Sequence, residues 1–444
     1  MFKPILLWSD ALFFLLLAVA LAGGIWAART EHLRLAWRRV GTSRVGMAAA
    51  TVLAAFVLVA VLDSLHYRER LPGAQENYAV EVRSALDALL TGLRTRQERT
   101  YSAPLATRLF AKESIEGALG RDFPRLKFGG AHLAAEAEHT ADIALRVGQG
   151  LALGLLVWLA LVLASAPWRR AAPALAWDAC LHTLLALALV AGPVVALAGD
   201  YHVLGTDKVG QDVFYLTLKS IRTGLLIGTL TTLVMLPAAV LLGLVAGYAG
   251  GWIDDVIQYL YTTLNSIPGV LLIAAAVLTM QIAIDTHPEW FATAAERSDA
   301  RLLALCAILG ITSWTGLCRL LRGETLKLRE LEYVQAARAL GVSGARILWR
   351  HVLPNAMHIV MIAIVMDFSG LVLAEAVLSY IGIGVDANTI SFGSMINTAR
   401  MELARDPMVW WSLVAAFVFM FVLVLAANLF ADVVRDAFDP RAVK

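Results

Sequence analysis

Apolar runs long enough to cross a bilayer recur along the whole of this chain, and they decide what it can fold into. A helix needs about 20 residues to span the hydrocarbon core. About nine runs of that order occur, near residues 11–28, 46–63, 149–166, 178–198, 222–246, 262–283, 300–318, 356–380 and 409–430. Hydrocarbon offers no water to backbone N–H and C=O groups, so each run must satisfy its own hydrogen bonds by winding into a helix. The expectation is an all-α polytopic membrane protein. The composition agrees: 59% of the 444 residues are hydrophobic and 16% are charged, against about 25% charged in soluble domains. The formal net charge is only +2, so membrane lipid is the expected surrounding and nucleic acid is not an expected partner. Cys180, Cys306 and Cys318 lie in or beside apolar runs with no partner at metal-ligand spacing. They read as small packing residues, and no disulfide framework is implied.

Basic residues in short connections set the orientation. Arg29, Arg34, Arg38, Arg39 and Arg44 crowd the first connection, Arg169 and Arg170 mark a second, and Arg319, Arg322, Lys327, Arg329, Arg338, Arg346 and Arg350 a third. An alternating path of nine spans puts all three in the cytoplasm, with the N-terminus outside and the C-terminus inside. The first run is expected to be a retained helix and not a signal peptide, because its basic cluster follows the apolar stretch and no small-residue cleavage site stands out. Residues 64–146 form the one long polar stretch, placed outside by this path. Apolar residues near Val80, Val82, Ala85, Leu86, Leu89 and Leu90 recur at helical spacing, which predicts a small, mostly helical domain or long hairpin there.

The third basic connection carries the most information. Tyr333, Ala336, Ala337 and Leu340 fall at i, i+3, i+4 and i+7 and share one helical face, with Gln335 and Arg338 opposite. Two alanines at its centre make a shallow surface that another protein could approach closely. Gly341 then suits a C-terminal cap, Ser343 can cap the next helix, and Pro354 stands at the start of a span, where a missing N–H costs little.

The spacing Ala336-Ala337, Gly341, and then His351-Val352-Leu353-Pro354 resembles the EAA loop of bacterial ABC-importer permeases. Gln335 stands where the general pattern has Glu, and His351 where it has Ile. His351-Val352-Leu353-Pro354-Asn355 is similar to the dipeptide/oligopeptide/nickel branch. Four further stretches carry the resemblance in order. His202 to Phe214 (HVLGTDKVGQDVF) looks like the "LGTD..GRDV" stretch of that branch, with Gln211 in place of Arg. Gly247 to Asp254 (GYAGGWID) is a glycine-rich span end followed by an acid. Ala374 to Gly384 (AEAVLSYIGIG) precedes Ser391-Phe392-Gly393-Ser394, and Val434 to Arg441 (VRDAFDPR) closes the chain. Without the family, Gly205 and Gly210 read as tight-turn residues, and Asp207 or Asp212 as a cap on a short interfacial helix beside Thr206.

The resemblance covers roughly residues 200–444, with residues 35–62 similar to the family's first span. It implies a type I ABC-importer permease core preceded by an extra N-terminal helical region. The family typically has six spans, so the extra helix, the outer segment and about two more helices are additions. The expected divisions are 1–45 for the extra helix and basic connection, 46–63 for the first core span, 64–146 for the extracytoplasmic insertion, 147–199 for two inserted spans and 200–444 for the core. The resemblance further implies a permease subunit of the bacterial inner membrane that forms half of a pore for peptides or similar small solutes. It implies three kinds of partner: a second homologous permease, cytoplasmic ABC ATPase subunits that hold the ATP and Mg, and an extracytoplasmic solute-binding protein. No catalysis or directly bound cofactor is implied for this chain. Docking of the ATPase falls to Glu332, Tyr333, Gln335, Ala336, Ala337, Leu340 and Gly341, and the extracytoplasmic motif supplies Gly205, Thr206, Asp207, Gly210 and Asp212.

Other residues suggest rival readings. Asp367 and Glu375 lie within or near the eighth span, where bare charges cost several kcal/mol, so each should face a protein interior or a watery cavity. An ion-coupled carrier or membrane enzyme would use them; in a permease they serve structure or line the path. His132, Glu136 and His139 fall at i, i+4 and i+7, a spacing that suits a transition metal if the segment is helical. The added segments also admit a same-family subunit with an accessory or export role. The sequence contains no P-loop segment, so no nucleotide is bound here by that device.

Overall fold

A computed structural model describes residues 2–70, 78–114, 121–291, 293–386 and 389–438. In chain order the helices are α1 (Trp8–Arg29), α2 (Glu31–Thr42), α3 (Arg44–Ser64), α4 (Ala85–Leu89), α5 (Thr91–Thr95), α6 (His139–Ala164), α7 (Ala166–Ala171), α8 (Trp177–Ala198), α9 (Val213–Ala249), α10 (Gly251–Ser266), α11 (Gly269–Thr286), α12 (Ala294–Ser313), α13 (Thr315–Leu328), α14 (Glu332–Ala339), α15 (Gly344–Ile347), α16 (Leu353–Ile381), α17 (Phe392–Glu402) and α18 (Trp411–Phe438). Short strands are β1 (Phe2–Ile5), β2 (His66–Glu69), β3 (Arg83–Ser84), β4 (Glu113–Ser114) and β5 (Arg121–Asp122). Among the described residues nine helical stretches are long and apolar enough to cross a membrane, and each overlaps one of the nine expected spans. The Val434 to Arg441 stretch is described only through Phe438; Asp439, Pro440 and Arg441 lie outside the described residues.

The chain divides into two compact units whose limits differ from the sequence divisions. One comprises Met1–Leu6, Arg38–Gly224 and Ala387–Ala426; the other comprises Leu7–Trp37, Leu225–Asp386 and Ala427–Lys444. The extra helix α1 therefore groups with core helices. Its Ser9 N–H donates to Asp299 Oδ2 of α12 at 3.1 Å, and both residues are buried.

In the first unit, α6 and α8 form a tight hairpin. A Cβ on Gly150 would collide with the Pro193 backbone, and one on Gly154 with the Ala188 carbonyl. With no hydrophobic force between helices in lipid, such close backbone approach is what packs them. The segment between α3 and α6 overturns the helical expectation. Strand β2 pairs antiparallel with both β1 and β3, β4 pairs with β5, and α4 and α5 are five residues each. The periodic apolar set fails because Ser84 and Asp87 form a capping box that starts the helix only at Ala85. Val80 is then left 83% exposed and Leu89 69%. Because β1 pairs with β2, the N-terminal strand and the start of this segment lie on the same side of the membrane, as two intervening spans require.

The second unit is built on a buried cluster that includes Met235, Leu244, Leu317, Leu321, Val334, Ile347 and Val360. Gly243 and Gly247 of α9 lie directly against Cys318, Arg322 and Thr325 of α13. Upstream of α16, residues Leu348–Val352 wind as a π-turn. Pro354 has no N–H for the Arg350 carbonyl and its ring would clash with it, and a wider turn relieves both faults.

Candidate functional site

The connection between α13 and α16 projects α14 as a short, firmly held helix. Val334 is 2% exposed and belongs to the buried cluster, with Ala337 and Val342 packed partly buried against it. At the C-terminal end Gly341 takes φ +78°. Its N–H donates to Arg338 O at 3.0 Å, and the Val342 N–H donates to Ala337 O at 3.1 Å. These are the two bonds of a Schellman cap, which fix where the chain turns back. Ser343 sits at the N-cap position of α15, but its side chain makes no capping bond.

The helix is rolled relative to the expected face. Tyr333 is 41% exposed and Leu340 84%, and Glu332, Gln335, Ala336, Arg338 and Ala339 are exposed as well. Ala337 turns inward because it stands three residues from Val334, the β-branched residue that anchors the helix. Ala337 is therefore not at the centre of the outer surface; that place falls to Ala336, between Tyr333 and Leu340. The anchor Val334 was the residue missed, since its neighbours fit a stripe without it. Asn355 Nδ2 donates to Tyr333 Oη at 3.1 Å, so the exposed face is tied to the first turn of α16.

A cleft of about 800 Å³ lies beside α14, lined by Tyr248, Arg329, Glu330, Val334, Gln335 and Arg338 among others. The glycine-rich Gly247 to Asp254 stretch meets the loop here. Arg329 Nη1 donates to Gly247 O at 3.2 Å. Arg322 grips Asp254 with both ends of its guanidinium, at 2.5 and 2.6 Å, and that pairing holds the Asp254 carboxyl below its ordinary range. The glycine-rich stretch and the third basic connection, joined by contacts 68 and 82 residues apart in the chain, are thus one piece of structure.

The stretch containing Gly205 to Asp212 is a second assembled site. Gly205 (φ +72°) and Gly210 (φ +77°) make its turns, and a Cβ at either would strike a backbone carbonyl, of Ser102 or Glu98. Asp207 Oδ1 accepts from Val209 N (2.9 Å) and Gln211 N (2.8 Å), closing the loop on itself. Asp212 Oδ1 accepts from Phe214 N (2.9 Å) and Tyr215 N (3.1 Å). It thereby caps the long helix α9 and not a short interfacial one. Thr206 Oγ1 accepts from Ser102 N at 2.7 Å, and Thr206 O accepts from Trp411 Nε1 at 2.9 Å. His202 is buried between Asp212 (2.7 Å) and Glu98 (3.5 Å). Burial would push the His202 imidazole down, but the two carboxylates raise it to about 9. Burial would likewise push Glu98 up, but His202 and the backbone N–H groups of Lys127, Phe128 and Gly129 hold it at about 2. Glu98 carries no local sequence signal, because the partners that define it lie about 30 and 100 residues further on.

The candidate metal trio is not brought together. The chain is helical only from Glu136, first as a short 3-10 turn, so His132 lies outside the helix that the spacing assumed. His132 Nε2 bonds Asp142 (2.9 Å), Glu136 pairs with Arg108, and His139 Nε2 bonds Leu105 O (2.9 Å). In α16, Glu375 is 1% exposed and accepts from Ser379 Oγ at 2.7 Å. Asp367 is half-buried and, among the described residues, has no hydrogen-bond or ion-pair partner.

A membrane-crossing helical bundle that presents a capped amphipathic helix from its cytoplasm-type basic connection has the build of a transport permease. Residues 239–444 match the family model "Binding-protein-dependent transport system inner membrane component", and the chain belongs to that family. Among its relatives is the oligopeptide transport system permease protein OppC of Mycobacterium tuberculosis, 32% identical over 242 residues, 54% of this chain and 77% of the relative. The glutathione transport system permease protein GsiD of Pectobacterium atrosepticum is 32% identical over 240 residues, 54% of this chain and 73% of the relative. The dipeptide transport system permease protein DppC of Bacillus subtilis is 29% identical over 240 residues, covering 54% and 69%. This chain is thus a multi-pass permease subunit of an ABC transport system, in the peptide-permease branch.

Proposed function

We propose that this subunit forms half of the translocation pore of an ATP-driven importer for peptides or similar small solutes, and that α14 receives the stroke of the cytoplasmic ATPase. The observation that carries the reading is the way α14 is mounted. Its outer face, Tyr333, Ala336 and Leu340, is exposed, while the Schellman cap fixes its end and the burial of Val334 and the bond from Asn355 to Tyr333 Oη tie it to α16. A push on such a helix is delivered to the membrane helices and not absorbed by a loose loop, as a two-state pore requires. ATP and Mg belong to the ATPase partners, a second homologous permease completes the pore, and an external binding protein brings the solute. The N-terminus is outside and the C-terminus in the cytoplasm. Relatives named for oligopeptide, dipeptide and glutathione transport support the solute class.

The test is affinity purification of the tagged chain from its native membrane in mild detergent, with the co-purifying subunits identified by mass spectrometry. A P-loop ATPase and a second permease are the expected companions. Recovery of the chain alone, while a known importer survives the same treatment, refutes the coupling role. One observation favours a second reading: Asp367, within a span, has no hydrogen-bond or ion-pair partner among the described residues. Uptake that follows a proton gradient and ignores ATP depletion would establish the ion-coupled carrier instead.

A further inference from the structure

We infer that the turn joining the end of α2 to α7 and the start of α8 is a binding site for anionic phospholipid headgroups. Residues 29–44 hold five arginines and one acid, Glu31. Within the unit that contains Arg38 onward, three contacts bring two basic turns together. Ala176 N–H donates to Gly41 O at 2.8 Å, a Cβ on Gly41 would strike the Leu175 side chain, and Arg44 Nε pairs with Asp178 at 3.0 Å. The acid that could have neutralised this edge is thus consumed by Arg44. Arg38 and Arg39 on α2 and Arg170 on α7 remain exposed and, among the described residues, have no side-chain hydrogen bond or ion pair. Arg169 gives one N–H to Val162 O at 2.8 Å, while its Nε is buried without a partner.

Guanidinium groups that the protein leaves unsatisfied at a membrane boundary match phosphate oxygens in charge and geometry. Two neighbouring features set the depth. Val40, one residue beyond Arg39, is 5% exposed, so the helix end is held against the protein. Trp168 is 67% exposed beside Arg169 and Arg170, and an indole there seats at headgroup level. The occupant is a lipid and not a free anion, because both basic turns adjoin the ends of membrane helices α3, α6 and α8. The inference rests on the membrane-spanning fold and needs neither the importer reading nor a transported solute.

The experiment uses the full chain, delipidated in mild detergent and titrated with phosphatidylglycerol or phosphatidylcholine of the same acyl chains, with bound lipid counted by native mass spectrometry. Phosphatidylglycerol should bind preferentially. The double variant Arg38→Gln/Arg39→Gln should weaken it by about 25-fold, since each basic residue near an anionic surface is worth about a factor of five. Arg38→Lys/Arg39→Lys retains the charge and should keep most of the binding, which separates loss of the site from failure to insert. Equal binding of both lipids by the unaltered chain overturns the inference. So does displacement of the lipid by millimolar inorganic phosphate, which would assign the arginines to a free anion.

Discussion

Glu98→Gln removes one charge from the clasp between the insertion and the Gly205 to Asp212 turn, and the geometry sets the size of the effect. Glu98 is 7% exposed and accepts from Lys127 N (2.9 Å), Phe128 N (2.8 Å) and Gly129 N (3.2 Å) while facing His202. Lowering a carboxyl from its ordinary 4.5 to about 2 corresponds to about 3 kcal/mol at roughly 1.4 kcal/mol per pH unit. The His202 displacement describes much of the same pairing and is not added. Glutamine keeps the shape, loses the charge and turns an amide NH2 toward backbone donors. The expected cost is therefore about 3 kcal/mol, or on the order of a hundredfold in local opening.

The pH dependence follows from the two signs. Glu98 has a lower pKa folded than unfolded, so its contribution is complete above about 4.5 and is lost as pH falls toward about 2. His202 has a higher pKa folded, so its contribution is complete below 6.5 and is lost as pH rises through about 9. The clasp should be firmest near pH 5–6.5 and loosen on the alkaline side. Hydrogen exchange by mass spectrometry on the full chain in micelles, corrected for intrinsic exchange, reads peptides covering 127–129 and 202–212. Exchange in the variant within about threefold of the unaltered chain, or protection that stays flat from pH 6 to 9, would refute the reasoning.

Three further substitutions address α14 and the helices that carry it. Val334→Asp buries a carboxylate in the cluster that anchors α14, costing several kcal/mol, and should open residues 329–342 to limited proteolysis. Leu340→Asp alters a side chain already 84% exposed and should leave proteolysis unchanged, yet lower ATP-driven uptake in proteoliposomes by on the order of tenfold; full uptake would remove Leu340 from the docking face. Asp254→Asn leaves the Arg322 guanidinium without its counter-charge and should lower stability by about 3 kcal/mol, read as a fall in the thermal unfolding midpoint, with partial recovery in Asp254→Asn/Arg322→Gln. A midpoint unmoved by the single change would show that the pair is solvent-screened.

The added segments shape what can be asked of function. Within the insertion, Ser102 N donates to Thr206 Oγ1, Glu98 faces His202 at 3.5 Å, and the Phe110 ring packs edge-on against Trp411. Excising the whole insertion would expose buried polar groups as well as remove a surface. A loss of import after such a deletion would therefore report on stability first, and point changes on the exposed side of the insertion are the cleaner probe of an accessory role.

Much of this protein was legible in the sequence because the bilayer imposes its rules locally. A span must bond its own backbone and bury an apolar length set by thickness, so composition over about 20 residues suffices to find it, and all nine expected spans have their helix. Backbone-encoded features were equally readable: Gly341, Gly205 and Gly210 take the positive φ their turns require. What the sequence could not decide depended on partners remote in the chain. The periodic apolar residues of 80–90 suggested a helix, but pairing of Arg83–Ser84 with the strand His66–Glu69, itself paired with residues 2–5, and a capping box at Ser84 set the outcome. The His132, Glu136 and His139 spacing suggested a shared site, but Asp142, Arg108 and the Leu105 carbonyl each claimed one of them. Likewise the stripe on α14 was visible, but only packing of Val334 into the cluster chose which side faces outward. Spacing lists the faces a helix can offer, whereas burial selects among them, because the free energy of burial comes from neighbours that local sequence does not contain.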